Sequence, residues 1–245
     1  MSELILPRVI GHRGAAASAP ENTLAGFRHA ARLGVGWVEL DVQLTADGVP
    51  VVFHDDGLER TTNGQGRLIE TSLAALRRLD AGAWFDPAFA GEPVPTLAEA
   101  IETLVSLGLG LNIEIKANES RGELTAQDGL AIARRLWPAD RPPPLLSSFA
   151  RSALAAAAIA APDWPRALLV ERVPADVVDQ ARRLGCEAVN ADQQHLTAAV
   201  VDEIKAAGLK VLAYTVNQPE RAVALWAMGV DGLFSDCPEL LAGCA

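Results

Sequence analysis

Three carboxylates, two histidines and two fixed cations sit in short β-branched or Gly-flanked segments of this chain. Glu39 and Asp41 stand two apart in Val38-Glu39-Leu40-Asp41-Val42. Asn112, Glu114 and Lys116 stand two apart in a run with Ile113 and Ile115 between them. Side chains two apart on a strand share a face. Each set therefore puts its polar groups on one side and its aliphatic groups on the other. Charges on an inward face are costly unless paired or bound to a metal. Three converging carboxylates with no cysteine among them are oxygen ligands for a hard cation, Mg²⁺ or Ca²⁺.

The histidines extend the chemistry. His12 lies in Gly11-His12-Arg13-Gly14, and His54 lies in Phe53-His54-Asp55. Only four residues separate the segments 36–44 and 49–54, too few for a parallel crossover, so they form an antiparallel hairpin turning at Asp47-Gly48. If Thr45 faces Pro50, then Asp41 opposes His54, at a β-carbon spacing of roughly 5 Å. Two imidazoles, a hard cation, Arg13 and Lys116 suit in-line displacement at an anionic phosphorus. The cations neutralise the phosphoryl oxygens, one His takes a proton and the other gives one.

Each piece alone has a plainer reading. Glu39 and Asp41 could face solvent on an edge strand, Glu114 and Lys116 could be a structural ion pair, and the Gly-His-Arg-Gly segment could be a turn. Ser18 and Glu21 fit a capping box for the first helix. His29 reads as a solvated helix residue, His195 as a loop residue, and the cysteines as packing residues.

Elements must hold these groups together. Strand-like runs are expected at 8–11, 36–44, 49–54, 110–116, 144–148, 167–170, 188–191, 210–215 and 232–235. Helical patterns fill 21–33, 97–107, 123–136, 151–161, 175–184, 197–207 and 220–228, several of them stopping at a glycine. This alternation implies a parallel sheet with helices outside it. Setting aside the hairpin's return arm leaves eight parallel strands, the count of a (β/α)8 TIM barrel, with a doubly wound sheet also compatible with the pattern alone. Residues 55–95 break the rhythm and read as a small insertion after the second strand, leaving 1–245 as a single domain. In barrel enzymes the site lies at the C-terminal strand ends, where these motifs fall.

Composition excludes other classes. The chain is half apolar with a formal net charge of −10. It has no Lys/Arg run, which argues against a nucleic-acid or anionic-membrane binder. Cys186, Cys237 and Cys244 form no CxxC pair, and no apolar run approaches the roughly 20 residues needed to span a bilayer. Residues 1–7 lack the pattern of a signal peptide, so a cytoplasmic location is expected.

The joint set of motifs is specific. Residues 11–14, 20–23 (Pro-Glu-Asn-Thr), 39–42, 47–55, 60–64 (Arg-Thr-Thr-Asn-Gly), 95–99 (Pro-Thr-Leu-Ala-Glu) and 112–116 resemble the glycerophosphodiester phosphodiesterase family, in its short cytoplasmic bacterial type. The resemblance implies a barrel of the phospholipase C-like class. It also implies metal-dependent hydrolysis of glycerophosphodiesters to an alcohol and sn-glycerol 3-phosphate. It makes His12 and His54 the acid/base pair, Glu39, Asp41 and Glu114 the metal ligands, and Arg13 and Lys116 the phosphate binders. Glu21 and Asn22 would shape the site, and Phe149 and Tyr214 would wall the glycerol, the tyrosine offering its hydroxyl. The implied partner is a small molecule. The alternative is a related barrel enzyme acting on lysophospholipids, which would need an apolar groove for an acyl chain.

Overall fold

The structure, a computed structural model, describes residues 4–117 and 121–244. The first three residues of the N-terminal stretch read above lie outside the described residues. The chain runs β1 (Val9–Gly11), α1 (Leu24–Arg32), β2 (Trp37–Leu44), β3 (Pro50–Val52), α2 (Leu73–Leu76), α3 (Leu97–Ser106), β4 (Gly110–Ile115) and α4 (Gly122–Leu136). It continues through β5 (Leu145–Ser148), α5 (Arg151–Ala160), β6 (Arg166–Val170), α6 (Val177–Arg183) and β7 (Ala188–Asp192). Last come α7 (Ala198–Ala206), β8 (Lys210–Tyr214), α8 (Pro219–Ala227), β9 (Gly232–Ser235) and α9 (Pro238–Ala242).

β1, β2 and β4 to β9 are parallel neighbours, and β1 pairs with both β9 and β2, so the sheet closes on itself. This is a (β/α)8 barrel, and the doubly wound alternative is excluded by that closure. Strand parity works as the sequence implies. Val38, Leu40 and Val42, with Leu111, Ile113 and Ile115, pack outward against Phe27, Leu97, Ile101 and Leu130 of the helices. Ile10, Leu145, Ala167, Ala188, Leu212 and Phe234 fill the inside of the barrel. Glu39 and Asp41 are therefore left facing inward near its C-terminal end. Gly34 (φ +80°) and Gly229 (φ +95°) follow α1 and α8 in the left-handed conformation that ends a helix cheaply. No helix among the described residues is long and apolar enough to cross a membrane.

Two expectations need correction. The β2–β3 hairpin pairs Leu44 with Pro50 and Val42 with Val52, so Asp41 faces Phe53, whose N–H donates to the Asp41 carbonyl at 3.0 Å. The register is one residue tighter than read. Thr45 pairs with Val49 across a loop of three residues that ends at Gly48 (φ +78°), a common hairpin geometry. The capping box at Ser18 and Glu21 is also absent. α1 starts at Leu24 with Thr23 as its cap, because Asn22 adopts a left-handed φ of +55° that no helix can include. A true capping box is found in the 95–99 motif, where Thr96 and Glu99 bond reciprocally at the start of α3.

The segment between β3 and α3 carries its own small core of Phe53, Leu58, Leu68, Leu76, Ala81 and Val94. Trp84 and Phe85 stack edge to face within it, 5.7 Å apart.

The turn after β1 leaves no room for a side chain at Gly11. A Cβ there would lie 2.0 Å from the Gly14 carbonyl oxygen, a backbone atom that cannot swing aside. Gly11→Ala is expected to cost about 1–3 kcal/mol or more. For a chain of this size that lowers Tm by roughly 2–10 °C in a thermal melt. An unchanged Tm would show that the turn has slack.

Candidate active site

The β1–α1 turn and the start of β2 build one side of the site. Arg13 and Asn22 are non-glycine residues with left-handed φ, +51° and +55°. Such strain persists only where the surroundings over-determine it, and here they do. The Arg13 N–H donates to Glu39 Oε2 (2.9 Å), the Asn22 N–H donates to the Arg13 carbonyl (3.0 Å), and Asn22 Nδ2 donates to Asp41 Oδ2 (2.8 Å). Two of the three predicted carboxylates are thus positioned by the Gly-His-Arg-Gly and Glu-Asn motifs. Glu114, on the adjoining β4, pairs in register with Asp41. One oxygen from each of Glu39, Asp41 and Glu114 lies within 4.8 Å of the others.

Burial and mutual repulsion shape this cluster. Burial, then Asp41 and Glu114, push the Glu39 carboxyl well above its ordinary range, and burial and Asp41 raise Glu114. Burial opposes the charge on Asp41, but Lys116, Arg13 and His54 outweigh it and hold Asp41 ionised below the usual range. Lys116 Nζ is 3.0 Å from Glu114 Oε1 and 3.5 Å from Asp41 Oδ1. Glu39 Oε1 and Asp41 Oδ1 are buried and accept no hydrogen bond among the described residues.

Each histidine is oriented by a carboxylate. His12 Nδ1 lies 2.7 Å from Asp236 Oδ1, and His54 Nδ1 lies 2.6 Å from Asp55 Oδ1. A carboxylate only accepts, so Nδ1 carries a proton in both rings, which leaves Nε2 as the nitrogen that can exchange one. His12 Nε2 is 4.0 Å from Glu39 Oε2. His54 reaches the site although it does not oppose Asp41. β3 ends at Val52, and the inward Gln43 amide sits 2.8–2.9 Å from the carbonyl oxygens of Phe53, His54 and Asp55, turning that segment over the barrel mouth. Burial lowers the His54 pKa, with Asp41 opposing the shift. Arg60 bonds both Asp55 and Glu21, while Glu21 also accepts from Arg13 at 2.8 Å. Hydrogen bonding to Arg60 holds Asp55 down at about 2.

A cavity of about 230 Å³ opens between the histidines, lined among others by His12, Arg13, Glu39, His54, Glu114, Phe149 and Tyr214. Asp41, Lys116, Glu21 and Asn22 do not line it; they support the groups that do. The Phe149 and Tyr214 rings meet edge to face at 6.1 Å. The tyrosine hydroxyl donates to the Val170 carbonyl (2.9 Å), so its proton is used by the barrel rim and not offered to a substrate. Trp84 and Phe85 stay outside the cavity lining. All three cysteines are free, and burial pushes the Cys186 thiol up to about 12. His29 sits on the α1 surface 3.2 Å from Arg32, and His195 closes a short 3₁₀ turn; both are away from the site.

Sequence reading missed four contributors: Asp236, Asp55 as a partner of His54, Arg60 and Gln43. Asp236 directly follows β9, the neighbour of β1, so barrel closure already places an acid there beside His12.

Comparison with known proteins agrees with this geometry. Residues 12–240 match the model of the Glycerophosphoryl diester phosphodiesterase family. A phosphodiesterase structure from Oleispira antarctica, in complex with the product sn-glycerol-3-phosphate, superposes with a TM-score of 0.95 at 42% identity, covering 98% of this chain and 96% of that one. The glycerophosphodiester phosphodiesterase of Caldanaerobacter subterraneus is 34% identical over 95% of both chains. YhdW of Bacillus subtilis is 35% identical over 95% of this chain and 96% of its own. The chain belongs to the glycerophosphoryl diester phosphodiesterase family of phosphoric diester hydrolases.

Proposed function

We propose that this enzyme hydrolyses glycerophosphodiesters to an alcohol and sn-glycerol 3-phosphate, with residues 1–245 acting as one barrel domain and the insertion at about 55–95. The observation that carries the reading is the pair of histidines, each fixed by its own carboxylate, flanking a cavity that also exposes Arg13 and the carboxylate cluster. In this reading His12 and His54 exchange protons with the reacting oxygens. One Nε2 takes a proton from the nucleophile as its oxygen bonds to phosphorus, the other imidazole, protonated, delivers one to the departing alcohol oxygen as its bond to phosphorus breaks, and water supplies the oxygen that the phosphate gains overall. Arg13 meets the phosphoryl oxygens from the cavity wall. Lys116 supplies positive charge from behind Asp41 and Glu114, and Glu21 and Asn22 hold Arg13 and Asp41 in place. Phe149 and the Tyr214 ring form the wall for the glycerol.

Glu39, Asp41 and Glu114 would hold one divalent cation, Mg²⁺ or Ca²⁺. An all-oxygen donor set suits a hard ion, and two buried carboxylate oxygens without hydrogen-bond donors fit such a ligand. When bound, the cation supplies charge neutralisation at a phosphoryl oxygen. The free thiols suit a reducing compartment, which supports a cytoplasmic location.

The test is incubation with glycerophosphocholine and, separately, lysophosphatidylcholine, followed by phosphorus NMR. Glycerol 3-phosphate should form from the first, with similar rates for the ethanolamine and glycerol esters. An acyl chain would need apolar burial worth about 0.8 kcal/mol per CH₂, and the cavity, at about 230 Å³, is small. Preference for the lyso-lipid would overturn the reading.

The pH profile gives a second check. Burial holds the His54 pKa below its ordinary 6.5, so the limb of kcat/KM that His54 sets, the acid limb if it is the base and the alkaline limb if it is the acid, is expected below that value. The bond to Asp55 favours the imidazolium, so removing its charge in Asp55→Asn lowers that pKa further. The limb should move to lower pH while kcat falls, because Nδ1 loses the acceptor that fixes the tautomer. A limb that moves to higher pH would show that His54 is not the group titrating.

A further inference from the structure

Below the catalytic groups the cavity reaches two amides that nothing above uses. Asn190 faces into the barrel from the middle of β7, between the inward Leu169 of β6 and Leu212 of β8. It is fully buried, and neither its Nδ2 nor its Oδ1 has a hydrogen-bond partner among the described residues. Asn112 is 1% exposed; its Nδ2 donates to Ser147 Oγ at 2.9 Å, while its Oδ1 accepts nothing among the described residues. Both residues line the cavity, together with Leu169, Phe234 and Tyr214. Buried apolar side chains, among them Ile10, Leu145, Ala167, Ala188 and Leu212, pack the barrel interior around them.

An unpaired buried amide weakens a fold, and a leucine, of the same branched shape, would line the cavity without that cost. The amides therefore point to a ligand group that enters the cavity. The chemistry of the unused atoms says which kind. Two amide oxygens need donors, and one amide nitrogen needs an acceptor. A phosphoryl oxygen only accepts and would be repelled by the two carbonyls. A trimethylammonium has no N–H, and a primary ammonium donates without accepting. A hydroxyl does both.

We propose that Asn190, with the Oδ1 of Asn112, recognises the free hydroxyls of the glycerol moiety on the cavity floor, Leu169 and Phe234 receiving its carbon face. This rests on the glycerophosphodiester reading above and assigns the residue that sets its selectivity for an unsubstituted glycerol. Esterifying a hydroxyl removes the O–H that Asn190 or Asn112 needs, so an acylated substrate leaves a buried carbonyl unpaired.

The experiment is titration calorimetry on the Mg²⁺-supplemented protein with three phosphate monoesters: sn-glycerol 3-phosphate, propane-1,3-diol phosphate and propane-1,2-diol 1-phosphate. The unaltered enzyme should bind glycerol phosphate about 10- to 100-fold more tightly than at least one analogue lacking a hydroxyl. In Asn190→Leu that preference should collapse to within about threefold, with Tm unchanged or raised because a buried unpaired amide has gone. Three equal affinities in the unaltered protein, or a preference that survives in Asn190→Leu, would overturn the proposal; equal affinities are what an amide holding only a structural water gives. If the leucine variant does not fold, Asn190→Ala in the same series decides. Hydrolysis of glycerophosphocholine is followed in parallel. Turnover with no hydroxyl preference defeats this assignment alone, whereas no turnover and no binding of any polyol phosphate defeats the functional reading with it.

Discussion

Stripping divalent cations from the enzyme is expected to reduce turnover of glycerophosphocholine at least about 10³-fold, and added Mg²⁺ or Ca²⁺ should restore it. The charges require it. Glu39, Asp41 and Glu114 present three carboxylates, and among the described residues Arg13 and Lys116 are the fixed cations that compensate them at close range. A phosphodiester adds another negative charge to a site that is already repulsive. Burial and that repulsion together push Glu39 and Glu114 up in pKa. A divalent ion held by Glu39, Asp41 and Glu114 would answer the repulsion better, and the buried Glu39 Oε1 and Asp41 Oδ1, which receive no hydrogen bond among the described residues, fit such a ligand. Lewis-acid neutralisation of a phosphoryl oxygen contributes several kcal/mol, and about 1.4 kcal/mol is tenfold in rate, which gives the expected factor. Protons compete with the ion for Glu39 and Glu114, so metal affinity should weaken as pH falls. The check is activity against free metal concentration after chelation and dialysis, repeated at two pH values. Full activity in a metal-stripped sample would remove the cation from the mechanism. Glu39→Gln should then mimic the stripped enzyme, because an amide oxygen replaces one anionic ligand.

Much of this site was legible in the chain because strand parity is a rigid rule. Once Val38, Leu40 and Val42 are assigned to the helix-facing side, Glu39 and Asp41 can only point into the barrel, and Ile113 and Ile115 fix Glu114 in the same way. The hairpin register was less legible. It depends on whether Thr45 pairs with Val49 or Pro50, a difference of one residue decided by the left-handed Gly48. Had the strand continued regularly past Val52, the tighter register would have turned His54 away from Asp41. The Gln43 amide, bonded to the carbonyls of residues 53–55, turns the chain there and brings the imidazole back. Nothing in local periodicity announces such a contact. The capping-box reading of Glu21 fails for a related reason. A carboxylate three residues after a serine looks like a cap, yet here two arginines hold it, one of them 39 residues away in sequence. Asp236 is 224 residues from His12. Only the closed barrel, which sets β9 beside β1, makes them neighbours.

Replacing either His12 or His54 by Ala is expected to lower kcat by about 10²–10⁴, the range for a positioned proton-transfer group. The double variant should lose far less than the product of the two, because groups that act on one proton path fail together. The orienting carboxylates sharpen the expectation. Asp236→Asn keeps the His12 ring but removes the anion that fixes its Nδ1 proton, so it should reproduce much of the His12→Ala loss while leaving KM nearly unchanged. The two histidines can then be told apart by the leaving group. A simple alkoxide, as in glycerophosphocholine, needs a proton to depart. A 4-nitrophenolate leaves as the anion. On a glycerol 4-nitrophenyl phosphodiester, the variant that lacks the general acid should recover most of its rate, and the variant that lacks the base should not. Rescue of both variants would mean that neither histidine activates the nucleophile. A His12→Ala enzyme with near-normal kcat on the choline ester would reduce His12 to a residue of the Gly11–Gly14 turn, and Asp236 to its structural partner.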